Sequence, residues 1–272
     1  MLLMLQAFLV KAQYPGATQV ADLPVIGISR SVSLHFISPE PIQYVDLSSH
    51  AIKGDLPVKN LLRLQILADS LEKIANSRDG GTVTIVGEKF IAQYRLCYLP
   101  PEKTEFISSQ IDIQPEYMKP LDISAVGLST NERKANALAM LKDRSAACIR
   151  QSDDYGIEIR LNRIYTVGDE VFLDISFNNR TNIPYDVDEL RFKIEDKKIN
   201  KATNVQSTEI HPLFQLYPFE RFKSRYRNIY VLKKATFPEN KVLNISLTEK
   251  QLSGRNLSLI IKYKDILGAD AI

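Results

Sequence analysis

Between Gly156 and Lys198 the chain alternates apolar and polar residues in three successive segments, separated by Gly, Asp, Asn and Pro. Ile157, Ile159 and Leu161 fall on one face of the first. Val171, Leu173, Ile175 and Phe177 fall on one face of the second, with Asp174 and Ser176 between them. A period of two is that of an extended strand with one buried face, whereas a helix repeats every 3.6 residues. The break Val167-Gly168-Asp169-Glu170 is short, so the first two strands are predicted to pair as a hairpin. The pattern confines this region to an antiparallel sandwich.

Further segments with the same period complete the reading. Leu213–Leu216, Lys223–Leu232, Val242–Leu247 and Leu257–Tyr263 bring the strands after Asp153 to about seven, the number an immunoglobulin-like sandwich needs. Upstream, Ser31–Ile37, Ile42–Leu47, Asn60–Leu67, Thr82–Val86 and Phe90–Tyr98 form a second cluster, a small sandwich or partly open barrel. Asp79-Gly80-Gly81 reads as a turn, and Gly87-Glu88-Lys89 closes a hairpin. The fold class is therefore all-β: two β-sandwich domains joined by a linker with one helix. Residues 31–100 form the N-terminal domain, 101–152 the linker and 153–272 the immunoglobulin-like domain; 13–30 read as an extended lead-in. In the linker, Ser129 and Glu132 are spaced as a capping box before a helix running to Cys148. Leu138, Leu141, Ser145 and Cys148 lie near its docking face.

Met1–Val10 is apolar, and Val10 and Ala12 suit a signal-peptidase site before Gln13, so residues 1–12 read as a signal-peptide remnant. A buried N-terminal strand is the alternative. Cys97 and Cys148 permit a disulfide in an exported protein, but two separate buried thiols fit their positions better. With 35 basic and 32 acidic side chains, the net charge of +3 prepares no wide surface for nucleic acid or membrane.

Two groups of residues carry a family resemblance. One is the apolar strand from Leu34, the Pro39/Pro41 pair and Tyr44-Val45-Asp46-Leu47. The other is Ile164-Tyr165, Phe172 to Asn179, and Ile183-Pro184-Tyr185-Asp186-Val187-Asp188. In these the chain resembles the TraN family of Bacteroides-type conjugative transposons. The resemblance implies a subunit of a conjugative type IV secretion apparatus, similar in role to the periplasmic β-sandwich subunit of VirB-type outer-membrane core complexes. It implies a periplasmic, outer-membrane-associated location, with membrane contact through partners only. Other envelope subunits are the expected partners, in a ring-forming homo- and hetero-oligomer, without direct contact to nucleic acid.

No residue pattern points to catalysis. His35, His50 and His211 are scattered, without metal-ligand spacing, so no metal or cofactor is expected. Glu170 with Asp174 share a strand face where carboxylates usually meet water, and Asp186 with Asp188 sit in a Pro-Tyr loop. One run invites a binding role: Phe219 to Tyr230, which interleaves aromatic and basic residues. As a strand it places Arg221, Lys223, Arg225 and Arg227 on one face and Phe222 and Tyr226 on the other. Stacking of single-stranded nucleic acid and a solvated strand face are both open to it, the second favoured. A basic edge strand that pairs with an acidic or extended segment of a partner fits best. The expected function is that of a non-enzymatic assembly subunit; a peptide- or glycan-binding module is the alternative.

Overall fold

The computed structural model describes residues 17–100, 102–103, 107–121, 127–142, 148–197, 207–250 and 254–271. The expected leader cleavage site lies outside them, as does most of the connection from Lys201 to Thr208. The chain divides into two compact units, Met1–Ile123 and Ser124–Ile272. Both are built from β-strands, as the alternation predicts.

The first unit runs β1 (Val25–Ile28), β2 (Leu34–Ile37), β3 (Tyr44–Leu47), β4 (Ile52–Val58) and β5 (Leu61–Ile66). A short helix α1 (Leu71–Ser77) leads to β6 (Asp79–Val86), β7 (Phe90–Tyr98), β8 (Gln110–Asp112) and β9 (Lys119–Pro120). One sheet has the order β1-β7-β6-β3 with β9 also on β7; the other has the order β4-β5-β2-β8. Phe36, Leu62, Leu64, Val83, Ile85 and Tyr94 meet in the core between them. The predicted β6–β7 hairpin is present. Asp79-Gly80-Gly81, however, is no turn: α1 ends at Arg78 in the left-handed region, and Gly81 (φ 76°) forms a bulge inside β6. A side chain at Gly81 would collide with the Ser48 hydroxyl, so the glycines serve a close strand approach.

The second unit begins with helix α2 (Thr130–Lys142). Four strands follow: β10 (Arg150–Asp154), β11 (Ile157–Val167), β12 (Glu170–Asn179) and β13 (Tyr185–Asp196). Then come β14 (Thr208–Ile210), β15 (Phe214–Gln215), β16 (Arg221–Phe222), β17 (Arg225–Lys233), β18 (Lys241–Glu249) and β19 (Leu257–Lys262). Helix α3 (Tyr263–Leu267) and β20 (Asp270–Ala271) close it. The sheets are β10-β11-β12-β17-β15 and β14-β13-β18-β19. Taking β11, β12, β13, β15, β17, β18 and β19 in sequence as strands A to G gives A-B-E-D on one sheet and C-F-G on the other, the immunoglobulin arrangement. Gly168, at φ 55°, takes the left-handed position in the two-residue turn of the β11–β12 hairpin.

Much of the expected lead-in and linker is built into the units. β1 lies in the former; β8, β9, α2 and most of β10 lie in the latter. The strands among them complete sheet edges with two to five residues each, too few for a readable period, and α2 covers a sheet face. The capping box of α2 forms as predicted, Glu132 Oε2 accepting from the Ser129 N–H at 2.7 Å. Its docking face differs from the one expected: Ala137 and Met140 are buried and Leu141 packs beside them, whereas Leu138 is exposed. Neither cysteine is paired. Cys97 is half-buried and Cys148 exposed, so the reading of two buried thiols is also corrected.

Candidate partner-binding surface

The outer face of the β10-β11-β12-β17 sheet has two halves of opposite character. Tyr165, Phe172, Ile229 and Val231 form an apolar half, and α2 lies over it through Ala137 and Met140. Toward the other end the cross-strand rows turn polar. One row is Gln151–Arg160–Ser176–Arg227 and the next is Asp153–Glu158–Asn178–Arg225. Each row crosses four strands, roughly 14 Å at the usual inter-strand spacing.

Two arginine–carboxylate pairs tether the helix. Arg133, in its first turns, makes a bidentate contact with Glu170 at 2.6 and 2.8 Å. Arg227 does the same to Asp174 at 2.9 and 2.5 Å and donates through Nη1 to the Leu141 carbonyl of the last turn at 3.4 Å. Asp174 also accepts from Asn162 Nδ2 at 3.0 Å. The strand spacing of Glu170 and Asp174 does put both on one face, but both are buried rather than wet. Each is neutralised by its own guanidinium, which is how a buried carboxylate is kept. Asp186 and Asp188 are on β13 rather than in a loop, and Asp186 pairs with Arg221 at 3.1 Å.

The alternation predicted for Phe219–Tyr230 holds only locally: Phe222 is buried between exposed Arg221 and Lys223, and Tyr226 is half-buried beside exposed Arg225. The edge-strand expectation does not hold. β17 runs inside its sheet, with β12 on one side and β15 on the other. Nor do the four cations form one face. Arg221 sits on β16, which pairs with β13 of the opposite sheet, and Lys223 lies in the crossover. Arg225 and Arg227 share the outer face of β17, but Arg227 is committed to Asp174. Tyr226 is packed inward: its ring stacks on Phe219 at 4.5 Å and its hydroxyl donates to the Pro218 carbonyl at 2.7 Å. Burial pushes its pKa up to about 12. Lys223 and Arg225 remain without an ion pair among the described residues. Sequence reasoning missed the Arg133–Glu170 and Arg227–Asp174 tethers. Their one sequence signal was a charged residue in the apolar run of β12.

The same end of the unit gathers the β10–β11 turn, the β12–β13 loop, the β16–β17 crossover and the start of the β18–β19 connection. There Arg255 clasps Glu249 at 2.6 and 2.9 Å and lies over the Tyr185 ring. That contact, above all the Arg255 hydrogen bond, holds the Glu249 carboxyl below its ordinary value near 4.5. The stability it contributes is therefore complete above that value and is lost only as pH falls through the lower, folded-state one. The three histidines stay apart in character: His35 is half-buried on β2 with Nδ1 3.2 Å from the Ser109 carbonyl, while His50 and His211 are exposed. Among the described residues no cluster of three or more His, Cys, Asp or Glu side chains could hold a metal ion.

A family model described as "Domain of unknown function (DUF4138)" matches residues 132–271, just over half of the chain. The match starts in α2 and ends in β20, so the helix belongs with the sandwich it covers. No curated protein matches the sequence.

Proposed function

The chain belongs to the DUF4138 family, and we propose that it serves as a non-enzymatic assembly subunit of a conjugative transfer apparatus in the cell envelope. The observation that carries this reading is the polar half of the outer sheet face. It is bordered by loops, with Arg225 exposed on it and Lys223 exposed in the adjoining β16–β17 crossover, while the buried Asp174 beside it is matched by Arg227. Such a surface suits a protein partner with acidic groups, where exposed charges raise the rate of encounter more than the final affinity. The resemblance to the TraN family supplies the apparatus, the periplasmic location and the expected partners, the other envelope subunits. Among the described residues no helix is long and apolar enough to cross a membrane.

The test is purification of the tagged protein from donor cell envelopes, with the other transfer subunits followed by mass spectrometry. Reversal of Lys223 and Arg225 to Glu should weaken co-purification and reduce DNA transfer between cells, with the fold unchanged. Arg227 is spared because its replacement would strand Asp174. Full transfer and full co-purification with the double reversal would remove these residues from the contact. Absence of any transfer subunit from the purified parent protein would remove the assembly reading itself.

A further inference from the structure

Two neighbouring loops of the second unit hold apolar side chains out in water. Ile183 is 64% exposed and Tyr155 58%. The loops touch: the Arg180 N–H donates to the Gly156 carbonyl at 2.9 Å. Neither is a slack tip. The Ile183 carbonyl accepts from Asn179 Nδ2 at 2.8 Å and from the Thr181 hydroxyl at 3.1 Å. Arg255, fixed by Glu249, donates to Thr181 Oγ1 at 3.2 Å and to the Pro184 carbonyl at 3.0 Å. Tyr155 has φ 50° and Gly156 φ 71°, the two left-handed positions of a turn that favours Asn-Gly. A tyrosine in that conformation is strained, and its exposed ring brings the fold little packing in return. A rigid apolar tip is thus presented beside Lys223 and Arg225, in a form that loses little entropy on docking.

The first unit carries a complementary feature. β9 pairs with β7 at Phe90 and Ile91, and β1 pairs with it from Arg95 to Tyr98. Ala92, Gln93 and Tyr94 lie between, without a strand partner on that edge among the described residues. Near this gap is a cavity of about 160 Å³ with Leu23, Ile91 and Tyr117 among its apolar lining and Asp22 and Glu116 among its charged groups. The remaining charge, Lys119, donates to the Thr18 hydroxyl. Its volume admits one branched aliphatic side chain, and its acidic groups oppose in sign the cations around Ile183.

We propose that these surfaces dock between copies of the chain. The Ile183 and Tyr155 tip of one second unit seats in the cavity of the next copy's first unit, with Asp22 and Glu116 facing Lys223 and Arg225. The partner is a second copy because one chain carries both halves, opposite in charge and alike in apolar character. The contact is heterologous, so it repeats head to tail and closes into a ring where the rotation permits. The proposal rests on the reading of the chain as an assembly subunit and names the surfaces of its self-assembly.

Sedimentation velocity of the purified full chain over a concentration series tests it. The parent should associate with rising concentration, and more weakly at high salt. Ile183→Asp should weaken association about tenfold or more, as loss of a central anchor does, with its unfolding midpoint unchanged. The pair Asp22→Lys and Glu116→Lys should do likewise, and adding Lys223→Glu and Arg225→Glu to that chain should restore association. An equimolar mixture of Ile183→Asp and the cavity variant should stop at a dimer, each member keeping one intact half. Tyr155→Gly should weaken association while holding or raising the unfolding midpoint, the opposite of a structural residue. A parent that stays monomeric throughout, or variants that associate like the parent, would overturn the docking. A monomer that still co-purifies with transfer subunits removes the self-contact and keeps the assembly reading; a self-associating chain without them does the reverse.

Discussion

The two halves of the outer face of the β10-β11-β12-β17 sheet are made by the same strands, yet they solve opposite problems. Around Phe172 and Val231 the outward positions are apolar and would be costly in water, so α2 is laid across them. Around Ser176 and Asn178 the outward positions are polar and part-exposed. The boundary is drawn by the buried Asp174, whose arginine comes from β17, while the buried Glu170, held by Arg133 of α2, closes the far end of the apolar half. The lesson is that a strand's outward residues record what covers it: aromatic and β-branched under the helix, amide and charge beyond it.

Substitutions ranked by expected effect can break or sharpen this contrast. Phe172→Ala should be most damaging, about 3–5 kcal/mol by chemical denaturation, because it opens a cavity under α2. A cost below about 1 kcal/mol would mean the helix cover contributes little. Arg227→Ala should cost about 2–4 kcal/mol by leaving Asp174 buried and uncompensated, the low end reflecting that roughly a third of the arginine side chain is in water. If Arg227→Ala and Asp174→Asn were each near neutral, the pair would be no boundary at all. Ser129→Ala should cost about 1 kcal/mol through loss of the α2 cap, with the change confined by hydrogen exchange to the helix. Arg225→Glu should shift stability by less than about 0.5 kcal/mol while weakening co-purification with transfer subunits. A large loss of stability there would assign Arg225 to the fold rather than to a partner.

Which parts of this were readable beforehand follows from what a sequence pattern measures. Alternation reports which side of a strand is buried, and β11 and β12 kept their predicted faces, as did Arg225 and Tyr226 of β17. It does not report which strand lies alongside, so β17 could be read as an edge although β12 and β15 flank it. Strands of two or three residues, such as β8, β9 and β16, are too short to show a period. β4 was hidden by its Gly54 and Pro57. The α2 face was misplaced because its contacts are made by small and flexible residues, Ala137 and Met140, while the more apolar-looking Leu138 points to water. The ion pairs needed knowledge of the fold, since Arg227 and Asp174 are 53 residues apart.

The passage from β16 to β17 carries a mechanical consequence. Arg221 and Phe222 are hydrogen-bonded into one sheet and Arg225 onward into the other, with only Lys223 and Ser224 between. The Asn179 N–H donates to the Ser224 carbonyl at 2.6 Å and the Val187 N–H to the Glu220 carbonyl at 2.8 Å, so both sides of this stitch are fastened. Two sheets held only by side-chain packing can slide over each other under load. Here shear would have to tear backbone hydrogen bonds in both layers together, so a pull on either sheet at this end is transmitted to its neighbour through two residues of covalent chain.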